Sequence, residues 1–219
     1  MSAPARRRWL RALPAAALGT PALLAGCDTL DNRAPRFDFF VIEDLRPAQA
    51  PAAAARLDLT LLLTTGPTPA LYDSDRIVFT TDGPSRSYYQ YSNWSERPAR
   101  RIMTLAEARL AARGGFRSVA QTLSGVRGDL VMTLRLDDLT HDASSAPGRV
   151  RVAVGAELVE WRARRLVARE TFVQAAEARS TDARGAARAA SVAVTALLDA
   201  LAPWAEATAA SAGRATAPT

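Results

Sequence analysis

The strongest constraint on the fold comes from three consecutive segments in which apolar and polar residues alternate. Residues 129–139 place apolar side chains on one face of a strand and polar ones on the other: Leu130, Met132, Leu134 and Leu136 are apolar. Residues 149–161 repeat the pattern, and residues 166–174 return. Successive side chains of a strand point to opposite faces, so this pattern is typical of half-buried strands. Because short turns join the segments, the sequence predicts an antiparallel meander.

A long amphipathic helix is predicted after the meander, from residue 181 to residue 209, with an apolar face suited to packing across a sheet. Pro203 is expected to bend this helix or end its regular hydrogen bonding. The other predicted elements are strands at 37–43, 57–65 and 116–123, a hairpin of 76–81 with 85–91, and a helix from Pro98 to the stop at Gly114-Gly115. The predicted fold class is therefore α/β, a mixed β-sheet with an antiparallel meander flanked by helices.

The first 26 residues have the composition of a secretory leader. A basic start precedes an apolar run at residues 13–25, which is too short to cross a ~30 Å hydrocarbon core. The run ends in Leu24-Ala25-Gly26-Cys27, and Cys27 is the only cysteine. This stretch resembles the bacterial lipobox, which implies cleavage before Cys27 and attachment of acyl chains to it. An ordinary signal peptide with a chance cysteine is the alternative.

The leader also leaves the export route open. Residues 6–11 resemble the twin-arginine pattern, although an arginine-rich start produces such matches by accident. The resulting organisation is a leader at 1–26, a tether at 27–36, one domain at 37–208 and a disordered tail at 209–219. Two or more acyl chains hold a protein stably on a membrane, so the domain needs no membrane-binding surface for retention.

The charge of the chain argues against nucleic acid as a partner. All 28 basic residues are arginine, and the net charge is +6. Four arginines lie in the leader, which has no acidic residue, so its removal leaves a charge of +2. A nucleic-acid-binding domain is expected to carry a concentrated basic stripe, and the sequence has none.

The sequence offers little catalytic chemistry. His141 is the only histidine, and it follows Asp137 and Asp138 closely. Zinc and iron sites usually draw several His or Cys ligands, so we predict no metal and no cofactor. No G-x-S-x-G, Walker A or G-x-G-x-x-G motif is present. These features predict a protein that is not an enzyme, with a cell-envelope hydrolase built on Asp137, Asp138 and His141 as the alternative.

Aromatic residues are dense in and around the predicted hairpin: Tyr72, Tyr88, Tyr89, Tyr91 and Trp94. Tyrosine and tryptophan are favoured at interfaces because they combine apolar area with a polar tip. We therefore hypothesise that this region forms part of a surface that contacts a partner or another copy of the chain, with a platform for a sugar as the alternative. For about half of these residues, burial in the core is the expected outcome.

Several features of the chain together resemble the ABC-type transport auxiliary lipoprotein family. They are the lipobox, the segment Leu71–Ile77, the tryptophan before the first helix, the meander and the last helix. The family has a leucine after the tyrosine of this segment, where this chain has Asp73. The resemblance implies a sheet similar to the N-terminal domain of the TolB protein. It also implies a non-enzymatic role beside an MCE-domain protein and an ABC transporter permease and ATPase, which move lipids or other apolar molecules.

The resemblance places the protein in the bacterial cell envelope, anchored to a membrane and facing the periplasm. The resemblance favours the outer membrane, where the best-known members of the family sit, whereas Asp28 resembles the inner-membrane retention signal of enteric bacteria and makes the inner membrane the alternative. A homo-oligomer is also left open. The competing hypotheses are the hydrolase named above and a purely structural envelope lipoprotein.

Overall fold

The computed structural model describes residues 36–46 and 52–215, with side chains as far as residue 212. The predicted leader, the lipobox and Cys27 lie outside the described residues. The described chain contains eight strands and two α-helices: β1 (Asp38–Phe40), β2 (Leu57–Thr65), β3 (Arg76–Thr80), β4 (Ser87–Trp94), α1 (Pro98–Arg113), β5 (Phe116–Gln121), β6 (Leu130–Asp142), β7 (Arg149–Glu160), β8 (Arg165–Glu177) and α2 (Ala183–Ala215).

All eight strands belong to one mixed sheet in which β6 is central. Along one side, β6 pairs with β7 in antiparallel fashion, and β7 pairs in the same way with β8. Along its other side, β6 pairs in parallel with β2 near its start and with β3 near its end. The sheet continues from β2 to β5 and from β3 through β4 to β1. The predicted α/β class and the antiparallel meander are therefore confirmed.

A register shift in β6 changes which residues face the helices. The pairing with β7 slips between Leu136 and Asp138, so that Asp137 is an extra residue in β6. Before the shift the even-numbered residues are buried, and after it Leu139 and His141 are buried opposite Val152 and Val150. A single inserted residue reverses the alternation of the strand, which explains how a charged stretch ends in a buried histidine.

Helix α1 has the bounds that the sequence predicts. Pro98 suits the first turn because that position has no use for a backbone donor. Gly114 ends the helix with a φ of 69°, a left-handed conformation that glycine adopts without steric cost. The spacing Thr104-x-x-Glu107 also resembles a capping box, but Thr104 lies inside the helix, where its hydroxyl donates to the carbonyl of Arg100.

Helix α2 is longer than predicted, which corrects the start of the disordered tail. The helix passes through Pro203 and continues to Ala215. Ala209 and Ala212 are buried, so this alanine-rich stretch packs against the domain instead of leaving it. By length and composition α2 could span a membrane, but 72 % of the relevant window is buried inside the domain. Its apolar face packs on β6, β7, β8 and α1, as expected of a core helix.

A buried arginine joins both helices to the segment that follows β1. Arg109 of α1 is almost fully enclosed, and its guanidinium donates to both carboxylate oxygens of Asp44, over 2.8 Å from Nε and 2.5 Å from Nη2. Its remaining nitrogen donates to Asp199 of α2. A second buried pair, Arg113 with Glu206, joins the same two helices. Residues from Arg36 onward form one compact unit.

Candidate partner-binding surface

Two of the five aromatic residues predicted for a contact surface belong to the core. Tyr72 is 9 % exposed and Trp94 is 4 % exposed. The Tyr72 hydroxyl donates to Asp138 over 2.8 Å and lies 3.0 Å from the hydroxyl of Thr140, and burial raises its pKa. The hypothesis that Tyr72 and Trp94 touch a partner is therefore corrected, because their rings are enclosed by the chain itself.

Tyr89 is half-buried and connects the hairpin to the region before α2. Its hydroxyl lies 2.7 Å from Nδ1 of His141 and donates to the carbonyl of Thr181 over 3.0 Å. Its ring also packs against Phe79 at a centroid distance of 4.6 Å. Burial raises the pKa of Tyr89 to about 12. These contacts give Tyr89 a structural role, with little of its surface left for a partner.

The acidic and histidine residues of the alternative hydrolase do not converge on one site. Asp137 pairs with Arg135, whereas Asp138 binds the Tyr72 hydroxyl. His141 is 1 % exposed and contacts Tyr89. Burial lowers the pKa of His141. Each side chain is thus committed to a different neighbour, so the contacts support a structural role for all three.

The described part of the chain also lacks a cluster of side chains that could bind a metal ion. Within residues 36–46 and 52–212, no group of three or more His, Cys, Asp or Glu side chains is placed to hold a metal ion.

Exposed aromatic side chains gather instead on the β1–β4 end of the sheet. Phe37 is 55 % exposed and Phe39 is 64 % exposed. Phe37 packs edge-on against Tyr91 at a centroid distance of 5.7 Å. Tyr88 is also exposed, and the guanidinium of Arg76 lies 4.8 Å above its ring. We call Phe37, Phe39, Tyr88 and Tyr91 the aromatic edge.

Alternation along β1 explains why two phenylalanines point into solvent. Phe40 is half-buried against the core, with the guanidinium of Arg184 5.7 Å from its ring centroid. Phe39 precedes it in the strand and therefore points to the opposite face. β1 pairs only with β4, so this outward face lies at an edge of the sheet. The sequence shows the apolar run Phe39-Phe40, but not which of the two is covered.

Contacts from α2 and α1 hold the chain just beyond β1 in place. The backbone N–H groups of Glu43 and Leu45 donate to the hydroxyls of Ser191 and Thr195 over 3.1 and 2.9 Å. Arg101 of α1 donates to the carbonyl of Ile42 over 2.7 Å. These bonds, with the Arg109–Asp44 pair, fix the segment after β1, so the neighbouring aromatic edge rests on an ordered support.

A separate groove of about 430 Å³ lies between the segment from Phe40 to Leu45 and the first half of α2. Val41, Leu45 and Val192 contribute exposed apolar side chains to it. The aromatic edge is itself a cluster of exposed aromatic side chains, and such a cluster marks an interaction site more often than scattered single residues do. The structure therefore retains Tyr88 and Tyr91 as contact candidates and adds Phe37 and Phe39.

Among solved structures, protein XCC0632 of Xanthomonas campestris, a DUF330 family protein, is similar over 80 % of this chain and 98 % of its own, with a TM-score of 0.73 and 20 % identity. An uncharacterized protein is similar over 78 % of this chain and 99 % of its own, with a TM-score of 0.57 and 11 % identity. At these identities the likeness concerns the fold alone. No curated protein matches the sequence.

The model of the family described as the ABC-type transport auxiliary lipoprotein component matches residues 40–202. This range covers most of the chain and runs from β1 into α2, so it includes every strand of the sheet at least in part. It also contains Asp44, Arg109 and Asp199, whose buried ion pairs connect the helices to the segment after β1. The chain therefore belongs to the ABC-type transport auxiliary lipoprotein family.

Proposed function

We propose that this protein is a non-enzymatic accessory of an ABC transport system, anchored to an envelope membrane by acyl chains on Cys27 and facing the periplasm. In this proposal it works with an MCE-domain protein and with the transporter permease and ATPase. The transported molecules are lipids or other apolar compounds. Family membership supports the transport role, and the lipobox sequence supports the anchor.

The aromatic edge is the observation that carries the proposal. It lies at the start of the compact unit, where the predicted tether ends, and it presents aromatic area on an ordered support. Exposed aromatic side chains beside a tether are suited to docking on a neighbouring protein. Aromatic residues are enriched at such surfaces because they bury much area at little entropic cost.

Pull-down of the MCE-domain partner tests the docking surface. Burying a phenylalanine contributes about 1.5–3 kcal/mol. Because Phe39 is 64 % exposed, Phe39→Ala should weaken the complex by about 1–2 kcal/mol, or roughly five- to thirtyfold. Tyr91→Ala should act in the same direction. Val173→Ala is the matched control, because Val173 is an exposed apolar residue on β8.

Equal binding by all three folded variants would refute the docking role of the aromatic edge. Assembly between copies is the second use that the hypothesis allows. Light scattering of the same variants separates the two, because only self-assembly changes the mass of the isolated protein.

The anchor and its membrane are tested separately. Mass spectrometry of the protein from cells should find acyl chains on Cys27 and no leader, and an unmodified thiol would refute the anchor. Fractionation of membranes from cells with wild-type protein and with Asp28→Ser then assigns the membrane. We expect the outer membrane for wild type; inner-membrane protein that moves outward in Asp28→Ser would identify Asp28 as a retention signal.

A further inference from the structure

A groove of about 640 Å³ lies on the face of the sheet that points away from the core. Leu62 of β2 and Val131 of β6 line it and are largely buried, whereas the residues before and after each of them belong to the core. Val126 and Trp161 add apolar side chains that are 44 % and 61 % exposed. We call this site the loop groove, because the loop before β6 and the turn between β7 and β8 meet there.

Hydrogen bonds hold the two sides of the loop groove in place. The N–H of Trp161 donates to the carbonyl of Asp129 over 3.0 Å, and the N–H of Asp129 donates to the carbonyl of Thr60 over 2.9 Å. The Asp129 carboxylate accepts the N–H of Thr60 over 2.8 Å. Gly128 seats the loop on the sheet, since an added Cβ would lie 2.5 Å from Cγ of Leu62. A preformed groove needs little ordering of its own when a ligand binds.

Two cations in the loop groove have no counter-charge. Arg127 and Arg162 line the groove and form no ion pair or hydrogen bond with the part of the chain that the structure describes. In contrast, Arg117 pairs with Asp58 at 2.9 Å and with Asp129 at 3.1 Å. Among the described residues that line the groove, Asp129 is the only carboxylate. The groove therefore carries two unpaired positive charges and no unpaired negative charge.

We propose that the loop groove binds an acidic segment of a partner protein, with carboxylates at Arg127 and Arg162 and an apolar side chain against Trp161. The guanidinium fork matches the geometry of a carboxylate, and tryptophan and arginine often dominate the energy of protein interfaces. A projecting segment of chain enters a concave groove, whereas a bilayer presents a flat surface. A saccharide needs acceptors for its hydroxyl protons, and the carboxylate of Asp129 is already engaged. This binding goes beyond the docking proposed for the aromatic edge and does not depend on it.

Fluorescence anisotropy tests the proposal with the chain from Asp28 onward, which contains the compact unit that begins at Arg36. The probe is a labelled synthetic peptide of alternating glutamate and leucine, and the control probe has glutamine in place of each glutamate. We expect saturable binding of the glutamate peptide that weakens as salt is added, and little binding of the glutamine peptide. Arg127→Ala and Arg162→Ala should each weaken the binding of the glutamate peptide about fivefold.

Two further variants separate the loop groove from the overall charge of the chain. Arg188→Ala is the matched control, because Arg188 is an exposed arginine in the separate groove beside α2, and its removal should leave peptide binding unchanged. The double variant of Arg127→Glu with Arg162→Glu should lose the glutamate peptide and bind a peptide of alternating lysine and leucine instead. This exchange of partners also shows that the double variant is folded.

Tryptophan emission locates the contact. The glutamate peptide should shift the emission of the wild type, and Trp161→Phe should lose this shift because Trp94 is buried. Phe39→Ala removes an aromatic residue from the aromatic edge and should bind the peptide as the wild type does. A failure of the docking proposed for the aromatic edge would therefore leave this result unchanged.

The results that would overturn the proposal are equally specific. They are no binding of the glutamate peptide, equal binding of the glutamine peptide, or unchanged binding in both arginine variants. Binding of phosphatidylglycerol vesicles without binding of the peptide would overturn it as well, since a bilayer would then be the occupant.

Discussion

Replacing Arg109 tests whether the buried ion pairs are what hold the β1 segment against the two helices. Arg109 and Asp44 have side chains that are 1 % and 4 % exposed, whereas Asp199 is 36 % exposed and also pairs with Arg46. Removing one member of a buried pair leaves an uncompensated charge and costs about 3–5 kcal/mol. In Arg109→Met the uncompensated charge is that of Asp44. Asp199 remains accessible to solvent and paired with Arg46.

Urea denaturation at pH 7 measures the loss. Arg109→Met should lower the free energy of unfolding by about 3–5 kcal/mol and the melting temperature by roughly 6–20 °C for a domain of this size. Arg109→Met with Asp44→Leu should lose much less than the two single variants together, because the double variant leaves no unpaired charge at this position. Hydrogen exchange should accelerate at the amides of Glu43 and Leu45, which belong to the same segment.

The outcome that would refute this reasoning is a loss below about 1 kcal/mol, the value typical of an exposed ion pair. Losses that simply add in the double variant would contradict the coupling between Arg109 and Asp44. Arg97→Met is the matched control. It removes an exposed pair with Asp73 at the start of the same helix, so its effect should stay within about 1 kcal/mol.

Three further predictions follow from other contacts. Burial lowers the pKa of His141, so the unfolded state binds its proton more readily; stability should fall as the pH drops below about 6.5, and His141→Gln should flatten that part of a melting-temperature profile. Gly128→Ala should destabilise the domain by about 1–3 kcal/mol, because its Cβ would overlap Leu62, whereas Gly83→Ala meets no atom within 4 Å and strains only the backbone. Tyr72→Phe should cost about 0.5–1.5 kcal/mol in urea denaturation, since it removes the phenol hydroxyl while Asp138 keeps its bonds to Thr140 and Arg151.

Local patterns in the sequence predict much of the fold. The alternation at residues 149–161 gives β7 to within one residue, and Pro98 with Gly114 gives both ends of α1. These predictions succeed because the alternation of a strand and the capping of a helix depend on neighbouring residues. The sequence does not predict the helical structure of residues 209–215, because it depends on distant packing partners. Without those partners, a stretch of alanine and small polar residues has the composition of a disordered tail.

The sequence signals of the site are weaker because long-range pairing decides them. Tyr72 is buried, and its hydroxyl bonds to Asp138, which is 66 residues away along the chain. No local sequence pattern predicts a contact over such a separation. Two signals were present, however. Arg109 and Arg113 follow the apolar residues Ile102 and Ala106 at helical spacing, so that all four share the buried face of α1. The consecutive pair Asp137-Asp138 interrupts the alternation of β6 where the bulge occurs.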